Sequence, residues 1–319
     1  MIAARQMTRL VAAALLALAA ALFAFAAPVG AQERGVAPAA DHADMITPHI
    51  TDSHHLEIPY WKAPFVIEVE LPRWAPMHVG GLAIDLSPTK HVVMLLLAAF
   101  LVSLMLILTA RAHVRHTRES GHPKGAAAGV EAMVLYMRNE VILPNVGPHG
   151  NAFVPFLLAL FFFILSANLL GLIPYGSTAT GNISVTATLA LITFFVVEIA
   201  GIRAQGWGYL NTFLYWPHDM GLGMRIPMSL LVSPIELVGK LARPFALAIR
   251  LFANMTAGHI VLLAFISLIF YFGASFVSVA PFAMAIAIMM LELFVSFLQA
   301  FIFTLLASVF IGQVREAHH

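Results

Sequence analysis

The chain contains no cysteine, which removes disulfides, thiol nucleophiles and thiolate metal sites from consideration. Charge is nearly as scarce: 10% of the 319 residues are Asp, Glu, Lys or Arg, where soluble domains carry roughly 25%. The few charges balance to +1, leaving no basic surface for nucleic acid and no acidic one for cations. There is no HExxH motif and no Ser–His–Asp context around Ser233 or Ser296, so neither a metallohydrolase nor a serine hydrolase is written here, and no cofactor is implied. What is present is apolar: 61% of residues are hydrophobic and the mean hydropathy is +0.89. The composition predicts an all-α polytopic membrane protein.

Residues 1–31 combine Arg5 and Arg9, an Ala/Leu-rich core, and small residues at Val29 and Ala31. They read as a secretory signal peptide or, since the apolar core is long, an uncleaved anchor. Residues 32–87 are more polar and proline-rich, and are expected to form a periplasmic segment with little core of its own. His42, His49, His54 and His55 lie there beside Asp41, Asp44 and Asp52. That is a conceivable metal cluster, but the spacing matches no ligand template and a solvated loop is the plainer reading.

Membrane domain 88–319 opens with a span at about 91–112, long enough to cross a bilayer. Arg111, Arg115, Arg118 and Lys124 follow it, and such clusters stay cytoplasmic. Gly129–Ile142 places Val130, Met133, Val134, Met137 and Val141 at helical spacing opposite Glu131, Arg138 and Asn139, the pattern of a helix lying on the membrane surface. Spans at about 152–173 and 183–202 flank an uncharged loop. From Pro227 to Phe270 runs one helix-compatible stretch interrupted by Pro234 and Pro244; a helix of that length is about twice the thickness of the hydrocarbon layer and must tilt strongly or enter along the membrane plane. After a turn near Gly273 and Pro281 a last span ends at Arg315. The sum is five transmembrane spans and an amphipathic surface helix, with a long, strongly tilted helical hairpin at the C-terminal end. The mature N-terminus is expected in the periplasm and the C-terminus in the cytoplasm of a bacterial inner membrane.

The polar residues of the hairpin are ordered. Glu236, Lys240, Arg243, Arg250 and Asn254 follow one another at intervals of 4, 3, 7 and 4, a single helical stripe. Glu292, Ser296 and Gln299 repeat the pattern on the last span at intervals of 4 and 3. Arg250 has no acidic residue within ten positions, although an arginine near the bilayer centre costs at least about 2.5 kcal/mol. If the two helices pack antiparallel, His259 and Glu292 come to the same depth on the external side of Arg250, a composition suited to a proton relay. Ala242, Ala246, Ala248, Ala253, Ala257 and Gly258 surround Arg250 with small residues, permitting close approach by another helix. A structural ion pair between Arg250 and Glu292 is the bland alternative. A proton-coupled secondary transporter would use the same residue types, but should show two related halves of broken helices, and none is visible.

Three stretches, "RPFALAIRLFANMTAGH", "SPIELVGKLARP" and "LELFVSFLQAFIFTLL", resemble subunit a of the F-type ATP synthase membrane sector, over about residues 88 to 315. The resemblance implies the stator subunit of a rotary, proton-translocating synthase, not catalytic alone, whose partners are the rotor ring of c subunits, the b subunits of the peripheral stalk, and lipid. It also implies residue roles. Arg250 matches the stator arginine that faces the rotor carboxylate. Asn254, His259, Glu292 and Gln299 match positions lining the external proton half-channel, Glu236 falls near the internal exit, and Asn182 matches a polar position after the external loop. In some bacterial members the acid lies on the arginine helix and the imidazole on the last helix. This chain has the opposite assignment.

Overall fold

The computed structural model describes residues 51–59, 66–75, 77–79, 82–84, 87–119, 125–148, 150–173, 178–206, 208–209, 222–273 and 276–316. The signal-like start and His42 and His49 lie outside this set. The segment before the first span contains four short strands, none of which the sequence announced. β1 (His55–Pro59) and β2 (Val66–Glu70) form one antiparallel hairpin, with His55 opposite Glu70, and β3 (Met77–Val79) and β4 (Leu82–Ile84) form another. Backbone bonds dock this segment to the helices: the amide of Lys90 donates to Ser53 O at 2.9 Å.

Among the described residues six principal helices follow. α1 is Lys90–Glu119, α2 Ala126–Tyr136, α3 Val154–Gly171, α4 Ile183–Gln205, α5 Leu222–Phe272 and α6 Val279–Glu316. Five of them, all but α2, are long and apolar enough to cross a membrane. α2 has 11 residues and continues through a π-helical turn at Met137–Ile142 into Leu143–Val146. Its apolar stripe behaves as the spacing predicts: Val130, Met133 and Val134 pack on the core, and Met137 and Val141 are buried. Of its polar face, Glu131 reaches back to His113 of α1, 2.9 Å away.

The core sits in α3, which is apolar on all sides; its span is 72% buried, against 11% for α5. α5 lies at the edge, against α4 and α6, and leaves Leu230, Ile235, Val238 and Phe245 open. Pro227, Pro234 and Pro244 are all inside it; neighbouring groups in membrane helices re-satisfy the carbonyls such prolines release. Its 51 residues extend roughly 77 Å at 1.5 Å each, so it cannot stand upright in a layer about 30 Å thick. The hairpin turns at Gly273, whose φ of 60° is accessible to glycine at little cost. Near the last turn of α6, Arg315 donates to the carbonyls of Val146 (2.8 Å) and Pro148 (2.6 Å), and Gln205 of α4 donates to Val314 O at 2.6 Å. One end of the bundle is thereby laced together.

Candidate functional site

The two polar stripes of the hairpin meet different surroundings. On α6, Glu292, Ser296 and Gln299 are all buried, because that face packs against α3, α4 and α5. On α5 the single stripe divides. Arg250 and Asn254 are exposed, Arg243 is exposed, Glu236 is half-buried and Lys240 is buried. At 3.6 residues per turn Lys240 and Arg250 stand about 80° apart around the axis, so members of one stripe need not share a partner.

Arg250 has no ion pair with any described residue. The carboxylate that could have neutralised it within the chain, Glu292, is turned to His259 instead, with Oε1 3.5 Å from Nδ1. This is the close approach that antiparallel packing predicts. Gly258 makes room for it: a β-carbon there would stand 2.5 Å from Glu292 Oε1 and 3.0 Å from its Cγ. Neither oxygen of Glu292 nor Nδ1 of His259 has a hydrogen-bond partner, and the same is true of the buried Ser296 hydroxyl. Four polar atoms are thus buried without a hydrogen bond, the 3.5 Å approach of His259 to Glu292 being the one compensation among the described residues. Each such group costs on the order of 1–3 kcal/mol, an arrangement that structural packing alone does not favour.

Sequence reasoning passed over Asn168 and Thr180, both fully buried. The Thr180 hydroxyl donates to Asn168 Oδ1 at 2.7 Å, and Asn168 Nδ2 donates to the carbonyl of Ser296 at 3.2 Å. A lone asparagine within "FFFILSANLLGLI" was the available signal, since an amide in a helix apolar on every side must find a partner. Asn182 caps α4, its side chain accepting from the amide of Ser184 at 2.9 Å, and stands beside Asp52 and His91. Asp52 partners His91, at 3.0 Å; Asp41, His42, Asp44 and His49 of the same stretch lie outside the described residues. Burial opposes ionisation of Asp52, but hydrogen bonding and attraction from His91 outweigh it and hold the carboxyl below the usual carboxylate range.

At the other end of α5, Lys240 leaves the predicted stripe for α4. Its Nζ donates to the Tyr209 hydroxyl (3.3 Å) and lies 3.8 Å from Glu198 Oε2, while Tyr209 donates to the same carboxylate at 2.6 Å. Burial and the bond to Glu198 push the Tyr209 phenol above its ordinary value. Beside this triad a cavity of about 20 Å³ is lined by Glu198, Lys240, Arg243, Thr193 and Phe310, and the Arg243 guanidinium lies 5.2 Å from the centre of the Phe310 ring.

The sequence profile of the ATP synthase A chain family matches residues 92–312. The chain belongs to that family. Among its relatives, ATP synthase subunit a of Chloroherpeton thalassium is 42% identical over 266 residues, covering 83% of this chain and 74% of the relative. ATP synthase subunit a 2 of Chlorobaculum tepidum is 43% identical over 302 residues, 92% of this chain and 80% of the relative. ATP synthase subunit a of Myxococcus xanthus is 40% identical over 286 residues, covering 87% and 91%. As an ATP synthase A chain with five membrane-crossing helices, the protein is a multi-pass membrane protein. Asp52 and His91 both precede the part of the chain that the family profile spans.

Proposed function

We propose that the chain is the stator subunit of a rotary, proton-translocating ATP synthase, with Arg250 facing a ring of c subunits and b subunits of a peripheral stalk holding it in place. The observation that carries this reading is the guanidinium of Arg250: exposed, with no ion pair to any described residue, while Glu292, the in-chain partner the sequence offered, lies against His259. A cation in that position needs a carboxylate from elsewhere.

The mechanism follows from charge and dielectric. A rotor carboxyl can face lipid only when protonated, because a bare buried charge is heavily penalised. Opposite Arg250 the ionised form is favoured, since a nearby opposite charge lowers a carboxyl pKa. The proton is released there, and arginine, which is not deprotonated in proteins, does not carry it across. External supply runs through the His259–Glu292 couple, with Asn254, Ser296 and Gln299 beside it and Thr180 and Asn168 positioning the buried end. The unpartnered oxygens of Glu292 are acceptors in waiting. Internal exit passes Glu236, with Arg243 near the Lys240–Glu198–Tyr209 triad. Each proton driven through is worth about 2.3 kcal/mol per 100 mV, and offset half-channels convert that energy to rotation. The imidazole on α5 and acid on α6 preserve a carboxylate–imidazole couple, so conduction survives the exchange of positions.

Membranes carrying Arg250→Ala, with the complex assembled, are expected to lose proton-driven ATP synthesis; normal synthesis by such membranes refutes the assignment.

A further inference from the structure

Asp52, His91 and Asn182 come from three separate parts of the chain: the segment before β1, the first turn of α1 and the cap of α4. His91 Nδ1 lies 3.0 Å from Asp52 Oδ1, and the Asn182 amide nitrogen lies 3.3 Å from that same Nδ1 and 3.5 Å from Asp52 Oδ2. The orientation of the amide is set independently, because its oxygen already accepts from the amide of Ser184. Asn182 can therefore only donate towards the pair. When Nδ1 carries a proton it donates to Asp52, and the amide turns to Oδ2. When Nδ1 is bare it accepts from the amide. The site accommodates both states of one proton with no movement of backbone.

Exposure gives the pair a direction. The Asp52 side chain is 27% exposed and that of His91 3%, so the carboxylate meets water while the imidazole is inside. On the far side, Asn182 is two residues from Thr180, which bonds Asn168 and through it reaches Ser296. The carbonyl of Gly181, next to Asn182, accepts from Thr256 at 3.4 Å, and Thr256 is one turn before His259. Polar groups thus recur between the surface pair and the helices that carry His259 and Glu292, in separate hydrogen-bonded links. The other titratable neighbours among the described residues are Lys90, beside His91, and His54, whose Nδ1 is 3.2 Å from Pro88 O.

We infer that Asp52 and His91 form the outer collecting couple of the external proton path, supplied by the segment that precedes the family's shared membrane domain, with Asn182 as the residue that positions them. The inference rests on the stator reading above. The ionised carboxylate at the surface draws protons towards the pair by its charge and favours their passage to the imidazole it contacts, which matters most when external protons are few.

The test is proton flux through the whole complex in reconstituted vesicles, measured against the pH on the side of Asp52, for wild type, Asp52→Asn, Asp52→Glu and His91→Gln. In assembled complexes, Asp52→Asn is expected to lower flux about tenfold at pH 8 and much less at pH 6, a loss smaller than the 10²–10⁴ a positioned proton-transfer group contributes; Asp52→Glu restores the profile. His91→Gln should repeat the pH-dependent loss if it assembles. Unchanged flux in Asp52→Asn at every pH overturns the couple, as does an equal loss at both pH values that Asp52→Glu fails to restore, which marks a purely structural contact. Either result with a wild type that still couples protons to synthesis leaves the stator reading standing, whereas Arg250→Ala complexes that synthesise normally bring that reading down.

Discussion

Gly258→Ala isolates the His259–Glu292 couple without removing either group. The added β-carbon would stand 2.5 Å from Glu292 Oε1, 3.0 Å from Cγ and 3.1 Å from Cδ, all inside ordinary contact. To restore such contact the carboxyl must retreat by roughly 1 Å, which lengthens the 3.5 Å approach to His259 to about 4.5 Å at an overpacking cost of about 1–3 kcal/mol. Alanine returns about 1 kcal/mol of helix propensity, so the net loss of stability is small. The loss of coupling is not. At an effective dielectric of about 20 the attraction between an imidazolium and a carboxylate falls by about 1 kcal/mol over that ångström, equivalent to about fivefold in proton sharing. Proton flux through the complex in vesicles at a fixed membrane potential should therefore drop several-fold while subunit content stays normal. Gly129→Ala is the control, because a β-carbon on α2 meets nothing within 4 Å: flux should be unchanged and the melting temperature equal or slightly raised. Wild-type flux in assembled Gly258→Ala complexes would refute the argument that this close approach serves conduction.

Lys240→Met removes the cation beside the Glu198 carboxylate and leaves it the Tyr209 hydroxyl, and is expected to destabilise the detergent-solubilised protein by about 3 kcal/mol, read by thermal unfolding; combining it with Glu198→Gln should recover more than half of the loss. Docking of the N-terminal segment should weaken in acid. Asp52 titrates below its unfolded value of 3.8, so the unfolded state binds more protons in between; the contribution is complete above about pH 5 and is lost as pH falls through the lowered folded value. Hydrogen exchange of the Lys90 amide, faster at pH 3 than at pH 5 after correction for intrinsic rates, measures it, and Asp52→Asn should abolish that difference. Glu292→Gln should slow proton entry by more than it reduces assembly of the complex, judged from flux per assembled complex.

The helices and their order were legible from the sequence because burial in lipid imposes a one-dimensional signature, some 20 apolar residues per crossing, that needs no knowledge of neighbours. The length of α5, the unpaired Arg250 and the pairing depth of His259 with Glu292 followed from spacing alone, since helical rise and antiparallel packing fix depth. Contacts between remote segments did not. Lys240 belongs to the same stripe as Arg250 by count, yet tertiary packing delivers it to Glu198 and Tyr209; Asn168 looked like one more residue of an apolar run; and nothing in the spacing of Asp52 pointed to His91 and Asn182. The four strands were also hidden, as two-stranded hairpins are too short to impose a clear alternation. Periodicity along one helix tells which residues share a face, but which partner that face meets is decided by energies summed across the whole fold, and those partners lie as many as 169 positions apart.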